Sequence, residues 1–181
     1  LIGHEYTECF CVSNDNMQNY LIKYGVDSSK VHVTGIPLSD KFFQNFNEDE
    51  IYAEFSLDKN KPVILFFGGG EFGLGEKRTV QILEALINNL TTCQIISISG
   101  RNKKMNNAFH MLVNKLDCND RVKILEYTNK VPELMSISNL VVTKPGGLTT
   151  SESLASELPM LIINPIPGQE EENAEFLVAH N

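Results

Sequence analysis

The sequence predicts a doubly wound α/β fold, in which helices cover both faces of a parallel β-sheet. Short runs of β-branched and other apolar residues alternate with longer stretches whose apolar residues recur at helical spacing. A turn rich in glycine or polar residues separates each run from the next stretch. This order of strand, turn and helix occurs five times after residue 61, which is typical of a parallel sheet.

The first strand and helix come before a polar segment. The run CFCVS predicts a strand over 9–13, and NDNMQNYLIKYG predicts a helix that ends at Gly25. A second strand is predicted over 30–35, and residues 36–62 are mixed and polar, as in a linker with a short helix. We therefore expect the chain to divide into 1–36, the end of one domain with its linker, and 37–181, a second domain.

The second domain begins with PVILFF (62–67), a continuous apolar run of the kind found in strands buried on both faces. The other elements follow in regular order. Further strands are predicted over 94–99, 122–125, 140–143 and 160–163. Helices are predicted over 76–90, 105–116, 131–137, 150–156 and 170–179. Ligands of such sheets bind beyond the carboxyl ends of the strands, so the loops at those ends are the candidate sites.

Composition excludes several classes of function. The net charge of -8 argues against a nucleic-acid surface, which needs a basic face, but backbone amides can still bind a small anion. No apolar run approaches the roughly 18 residues of a membrane span. The four cysteines have the spacing of neither a zinc site nor a disulfide framework and are interpreted as small core residues of a reducing compartment. They are Cys9, Cys11, Cys93 and Cys118.

The loop after the strand at 62–67 is rich in glycine. Residues 68–73, GGGEFG, match G-x-G-x-x-G between a strand and a helix, which is the geometry for a diphosphate. A dinucleotide site also needs an acidic residue about 20 residues on, and the second strand ends in SISGRN without one, which argues against a nicotinamide cofactor. The alternative is that the glycines only allow close packing of strand and helix.

Two further loops carry weaker signals. Arg101 and Asn102 are interpreted as a solvated polar turn. Tyr127 and Thr128 follow a strand directly, where an aromatic and a β-branched side chain could form the wall of a site for a flat base.

The stretch KPGGLTTSES (144–153) allows two interpretations. Thr149 and Glu152 match the S/T-x-x-E capping box, in which Thr149 would cap a helix and Glu152 would bond back to the cap amide. Alternatively, the helix N-terminus binds a phosphate and Glu152 accepts hydrogen bonds from a pair of sugar hydroxyls. The stretch alone leaves both open.

The last loop, NPIPGQEEENAEF (164–176), favours a ligand. Two prolines and Gly168 stiffen it, and Gln169, Glu170 and Asn173 follow at the next helix start. Such amide and carboxylate groups can bond to neighbouring hydroxyls, although carboxylates also favour helix N-termini without any ligand. The four histidines are scattered, and the sequence contains neither metal-ligand spacing nor a complete catalytic constellation.

Four motifs in this order resemble a known family. VTGIPLSDKF (33–42), FFGGGEFGLG (66–75), VVTKPGGLTTSESLA (141–155) and NPIPGQEEENAEFL (164–177) resemble glycosyltransferases of the GT-B fold, over residues 8 to 181. They are most similar to diacylglycerol galactosyl- and glucosyltransferases. The lipid-linked N-acetylglucosaminyltransferase of peptidoglycan synthesis is more distant. The resemblance implies that this chain is the Rossmann-like, C-terminal half, which binds the donor.

The resemblance also implies a role for particular residues toward a UDP-hexose donor. Glu152 matches the carboxylate that holds the ribose, and Thr128 matches the position whose main chain reads uracil. The diphosphate would lie at the backbone of Gly147, Leu148 and Thr149, near the Gly-rich loop with Gly69 and Gly70. The donor sugar would contact Gln169, Glu170 and Asn173. Glu71 departs from the pattern, since it adds a carboxylate close to the diphosphate.

In that family the catalytic base and the lipid-acceptor site belong to an N-terminal domain. We therefore expect residues 8–25 to be the last strand and helix of that domain, both ends of this chain to be cut, and its catalytic residues to lie elsewhere. The family implies transfer of a hexose to a diacylglycerol-type lipid with inversion, without a metal or other cofactor. It also implies a cytoplasmic enzyme, peripheral to the membrane through the other domain.

Two alternatives remain from the sequence. One is a stand-alone UDP-sugar-binding module that is active only beside a partner chain, against which the first 36 residues argue. The other is a nucleotide-sugar epimerase of the same fold, which needs carboxylates and a histidine acting on the sugar itself.

Overall fold

The computed structural model describes residues 4–68 and 75–179. The chain divides into two compact units, Leu1–Ser39 and Asp40–Asn181. The predicted boundary lies between residues 36 and 37, close to this division. That the first unit is the end of another domain stays a prediction.

Over residues 4–39, the first unit contains the two strands and the α-helix that the sequence predicts, together with two short 3-10 helices, and the strands pair in parallel. Strands β1 (Phe10–Val12) and β2 (Val31–Val33) pair with Phe10 beside Val31, and helix α1 (Asp15–Lys23) connects them. The helix begins after Asn14, whose side chain accepts a hydrogen bond from the Met17 N–H at 2.9 Å. A small apolar core forms from Val12, Leu21, Val26 and Val31.

The second unit is built on a five-stranded parallel sheet with the strand order β5-β4-β3-β6-β7. The strands are β3 (Val63–Phe67), β4 (Gln94–Ile98), β5 (Val122–Leu125), β6 (Leu140–Thr143) and β7 (Met160–Ile162). From β3 the chain adds β4 and β5 on one side, then returns to add β6 and β7 on the other. The order therefore reverses between β3 and β6.

Helices cover both faces of this sheet, which confirms the doubly wound prediction. They are α2 (Glu48–Glu54), α3 (Glu76–Asn89), α4 (Lys103–Lys115), α5 (Val131–Ser136), α6 (Gly147–Ala155) and α7 (Gln169–Ala179). None of the helices in the described part of the chain combines the length and the apolar character that crossing a membrane requires.

Strand β3 shows why its sequence is apolar throughout. Ile64 and Phe66 pack on one face of the sheet, in the core that α3 and α4 complete. Val63 and Leu65 pack on the other face, in a core that includes Leu134 of α5. Alternate side chains of a strand lie on opposite faces of the sheet. Because both faces are covered here, positions on either face of the strand are buried and favour an apolar residue.

The cysteines are only partly as predicted. Cys118 is buried and Cys93 is half-buried, in agreement with core positions. Cys9 and Cys11 are exposed, with their Sγ atoms 4.0 Å apart, so the prediction is wrong for these two. Cys9 directly precedes β1 and Cys11 lies within it, so the two side chains fall on the same side of the chain, which the small core leaves uncovered.

Asn102 has a structural role beyond a solvated turn. It is the N-cap of α4, and its Oδ1 accepts a hydrogen bond from the Met105 N–H at 3.1 Å. We expect Asn102→Ala to lower the free energy of unfolding by about 0.5–2 kcal/mol, as loss of a cap does. Asn107→Ala is the matched control, because Asn107 is exposed in the interior of the same helix, where alanine is the better helix former. Chemical denaturation that finds equal effects for both variants would contradict the capping role.

Candidate functional site

The candidate site lies where the strand order reverses, between β3 and β6. Strands β3 and β6 are parallel neighbours, so their carboxyl ends lie at the same edge of the sheet. After β3 the chain crosses to β4 on one side, and after β6 it crosses to β7 on the other side. This topological switch point is where open α/β sheets bind their ligands. The loop after β6 leads into α6, and its residues form the best-described part of the site.

The N-terminus of α6 presents free backbone donors. The N-cap is Gly146, in extended conformation and without a side-chain cap, and the first bond of the helix runs from the Thr150 N–H to the Gly146 carbonyl at 2.9 Å. The N–H groups of Gly147, Leu148 and Thr149 therefore have no acceptor within residues 4–68 and 75–179. Three such amides at the positive end of a helix dipole are suited to an anion.

The capping-box interpretation of Thr149 and Glu152 is wrong. Helix α6 begins at Gly147, two residues before Thr149, so Thr149 lies inside the first turn and caps nothing. Its amide is therefore not the cap amide to which a capping-box glutamate would bond. Of the two interpretations of this stretch, only the one with a ligand keeps a role for Glu152.

Glu152 is a half-buried carboxylate without a protein partner in the described part of the chain. Burial raises the pKa of this carboxyl above its ordinary value. No described cation or hydrogen-bond donor compensates the lost hydration. A half-buried acceptor left open in this way is what a ligand with hydroxyl groups needs, because its donors would replace the missing water.

Two hydroxyls of α6, those of Ser151 and Ser153, bond to carbonyls of the helix itself. Ser151 Oγ donates to the Gly147 carbonyl at 2.9 Å, and Ser153 Oγ donates to the Thr149 carbonyl at 2.8 Å. Thr150 differs, because its buried Oγ1 has no hydrogen-bond partner in the described structure. The side chains of Ser151 and Ser153 are thus bonded within the helix.

The start of α7 is bonded to the loop that precedes α6. Glu170 Oε2 accepts a hydrogen bond from the Ile166 N–H at 2.8 Å and lies 3.4 Å from Lys144 Nζ. Asn173 Nδ2 donates to the Pro145 carbonyl at 2.8 Å. The structure therefore brings Glu170 and Asn173 to the β6–α6 loop, whereas Gln169 is exposed at the first position of α7.

Sequence reasoning missed the residues that hold these loops together. Lys144 stood in the quoted stretch, but only the folded loops show that Glu170 is its partner. Arg78 of α3 donates to Asn164 Oδ1 at 2.8 Å, which ties the loop after β7 to a third element. Asn164 has a φ of 41°, a left-handed conformation that asparagine tolerates better than most residues, and this preference was the available signal.

Thr128 lies beyond the carboxyl end of β5, which is an edge strand of the sheet. It follows β5, and its Oγ1 accepts a hydrogen bond from the Lys130 N–H at 3.1 Å. Three strand spacings separate β5 from β6, or about 14 Å, so a ligand that reaches Thr128 from α6 must be extended. Next to Thr128, the Tyr127 ring is exposed and carries the Arg101 guanidinium 4.8 Å from its centroid.

The Gly-rich loop is described only at its ends. Gly69 and Gly70 lie outside the described residues, as does Glu71. Gly68 packs against the core, because a Cβ at this position would clash with the Phe109 ring, with Cε2 only 2.8 Å away. Close packing therefore explains Gly68. Within the described ranges, no three His, Cys, Asp or Glu side chains are grouped as metal ligands.

Comparison with known proteins gives a consistent result. Residues 47–178 match the family described as "Glycosyl transferases group 1". The processive diacylglycerol beta-glucosyltransferase of Staphylococcus epidermidis is 38% identical over 175 residues, which cover 94% of this chain and 42% of that protein. The chain thus spans less than half the length of this relative.

Two solved structures share the fold. UDP-GlcNAc 2-epimerase from Neisseria meningitidis, bound to UDP-GlcNAc, superposes with a TM-score of 0.75 at 20% identity over 95% of this chain and 48% of that one. A glycosyltransferase from Rickettsia africae gives a TM-score of 0.61 at 15% identity over 91% of this chain and 46% of that one. At such identities the likeness shows the fold alone, and it confirms the Rossmann-like prediction.

Proposed function

The chain belongs to the group 1 glycosyl transferases, and we propose that it binds the UDP-sugar donor of an enzyme that transfers a hexose to a diacylglycerol-type lipid with inversion. One observation carries the donor site. The half-buried, unpartnered carboxylate of Glu152 lies on the same helix as the open N–H groups at the start of α6, at the switch point of the sheet.

In the proposed site, backbone groups and a side chain bind different parts of the nucleotide. The N–H groups of Gly147, Leu148 and Thr149 bind the diphosphate, and Glu152 accepts hydrogen bonds from the ribose hydroxyls. Negative charge grows on the diphosphate as it leaves the sugar, and fixed amides at a helix N-terminus stabilise that charge without reorganising. The base that takes the proton of the acceptor hydroxyl is expected in the N-terminal domain of the complete enzyme.

The remaining proposed contacts are to the uracil, to the hexose and to the other side of the diphosphate. The main chain at Thr128 reads uracil, about three strand spacings from α6. Gln169, Glu170 and Asn173 bind the sugar, and Gly69 and Gly70 contribute backbone beside the diphosphate. Lys144 and Pro145 support this assignment, because their bonds to α7 hold Glu170 and Asn173 next to the loop that leads into α6.

The proposed substrates are taken from the name of a similar protein. The name of the Staphylococcus epidermidis protein states a diacylglycerol acceptor and a β-glucosyl product, which favours glucose as the hexose here. An acceptor of this kind lies in a membrane, so we place the complete enzyme at the cytoplasmic membrane surface as a peripheral protein. The proposed reaction needs no cofactor, and the UDP-sugar is its donor substrate.

Calorimetric titration tests the donor site directly. We expect UDP and UDP-glucose to bind the chain, and ADP to bind more weakly because uracil contacts are lost. UDP-galactose and UDP-N-acetylglucosamine rank the sugar preference. Failure of all four uridine ligands to bind would overturn the proposal, and conversion of a donor to its epimer without any acceptor would favour the epimerase alternative.

A further inference from the structure

The ion pair between Lys144 and Glu170 differs from the other ion pairs in the described part of the chain. Its side chains are only 20% and 22% exposed, whereas every side chain in the other four pairs is at least 36% exposed. Exposed pairs contribute little, but removing one partner of a shielded pair leaves a charge without compensation. The position of the pair, between the end of β6 and the start of α7, is the proposed sugar end of the donor site.

The two oxygens of Glu170 have different surroundings. Oε2 accepts the Ile166 N–H and faces Lys144 Nζ, so two donors from different segments fix it. Oε1 has no partner in the part of the chain that the structure describes. A carboxylate fixed through one oxygen presents the other in a defined direction, which is the pre-organisation that a hydroxyl-binding site needs.

Asn173 repeats this arrangement one turn further along α7. Its Nδ2 is bonded to the Pro145 carbonyl, next to Lys144, and its Oδ1 has no described partner. Two side chains of α7 therefore each use one polar atom to hold the β6–α6 loop and keep one acceptor for a ligand. Both attachments start from adjacent residues of the same loop.

We infer that Lys144 is a positioning residue for the donor sugar, which acts by fixing the Glu170 carboxylate so that Oε1 accepts hydrogen bonds from sugar hydroxyls. The inference rests on the proposed function and adds that different residues of the donor site bind the sugar and the nucleotide. Lys144 governs the affinity contributed by the sugar, while Glu152 and the α6 amides govern the affinity for the nucleotide.

The test compares UDP with UDP-glucose in the same calorimeter. Lys144→Met removes the charge and keeps much of the side-chain stem. We expect it to reduce the affinity for UDP-glucose by about tenfold, the effect of weakening a hydrogen bond to a charged group, and to change the affinity for UDP by less than about twofold. Lys144→Arg retains a cation and should restore most of the difference.

A double variant shows whether Lys144 acts through Glu170. Glu170→Gln keeps an oxygen for the Ile166 N–H but removes the ion pair, and should lose the same preference for UDP-glucose. Adding Lys144→Met to Glu170→Gln should then have no further effect, since the two residues form one unit. Lys115→Met is the matched control, because it breaks the exposed pair with Glu84 elsewhere in the unit.

Several results would overturn the inference. Equal losses for UDP and UDP-glucose in Lys144→Met would show direct contact with the diphosphate or general damage. Additive losses in the double variant would show that Lys144 acts independently of Glu170. Equal affinities of the unmodified chain for both ligands would remove sugar recognition from this site while leaving the proposed function standing, whereas binding of neither would refute the proposed function itself.

Discussion

Replacing Glu152 with glutamine is expected to weaken UDP binding by about tenfold to a hundredfold without destabilising the fold. The carboxylate has no described protein partner, so its hydrogen bonds become available to the ribose, and bonds to a charged acceptor contribute about 1.5–3 kcal/mol. Glutamine has nearly the same shape but no charge. Calorimetry with UDP measures the affinity, and chemical denaturation measures the free energy of unfolding.

The pKa of Glu152 gives the sign of the stability change. Burial raises this pKa, so the folded chain binds the proton more tightly than the unfolded chain does. The resulting stabilisation is complete below the unfolded pKa and is lost as the pH rises through the folded pKa. At neutral pH the ionised carboxylate therefore opposes folding, and Glu152→Gln should leave the stability unchanged or raise it.

The same shift predicts a pH dependence of binding. UDP affinity of the unmodified chain should fall as the pH is lowered toward the raised pKa of Glu152, because protonation removes the negative charge and turns one of the two acceptor oxygens into an O–H donor. Glu152→Gln should lack this component, so the difference between the two proteins isolates it from titration of UDP. Glu175→Gln, on the exposed side of α7, is the control and should behave as the unmodified chain. A variant at 152 that melts earlier but binds UDP normally would contradict the ribose role.

Replacing Gly68 with alanine is expected to cost about 1–3 kcal/mol of unfolding free energy, the range for overpacking a core. The added methyl would overlap the Phe109 ring, which is fully buried and packs against Phe66, so the ring has no free space to move into. Chemical denaturation of the variant measures the loss.

A second substitution tests the cause of that loss. Phe109→Leu removes the ring atoms that the new methyl would meet, so the double variant should lose less stability than the sum of the two single variants. Strict additivity would show that Gly68 is needed for its backbone conformation and not for packing. The cycle therefore separates close packing at Gly68 from the diphosphate role predicted for Gly69 and Gly70.

The fold was predictable because its signals are local. A run such as residues 62–67 is apolar at every position since both faces of β3 are covered, and helical spacing marked α3 and α4 in the same way. The start of α6 was not predictable from its S/T-x-x-E pattern. The helix begins where the chain leaves β6 in extended conformation at Gly146, and glycine is itself an accepted N-cap.

The candidate site was only partly predictable for a different reason. Glu152, Glu170 and Asn173 could be selected because polar groups after strand ends meet at one edge of a parallel sheet. Which polar atom remains open could not be selected, because it depends on how the loops fold. Lys144 and the Ile166 amide occupy one oxygen of Glu170, and no pattern in the sequence indicates that pairing.

The structure of the chain bound to UDP is the most direct test of the donor site. The ribose hydroxyls should lie within about 3 Å of the Glu152 carboxylate oxygens, a hydrogen-bond distance, and the diphosphate should contact the N–H groups of Gly147, Leu148 and Thr149. A complex in which UDP binds elsewhere, or in which Glu152 remains without a ligand contact while UDP occupies the switch point, would contradict the proposed site.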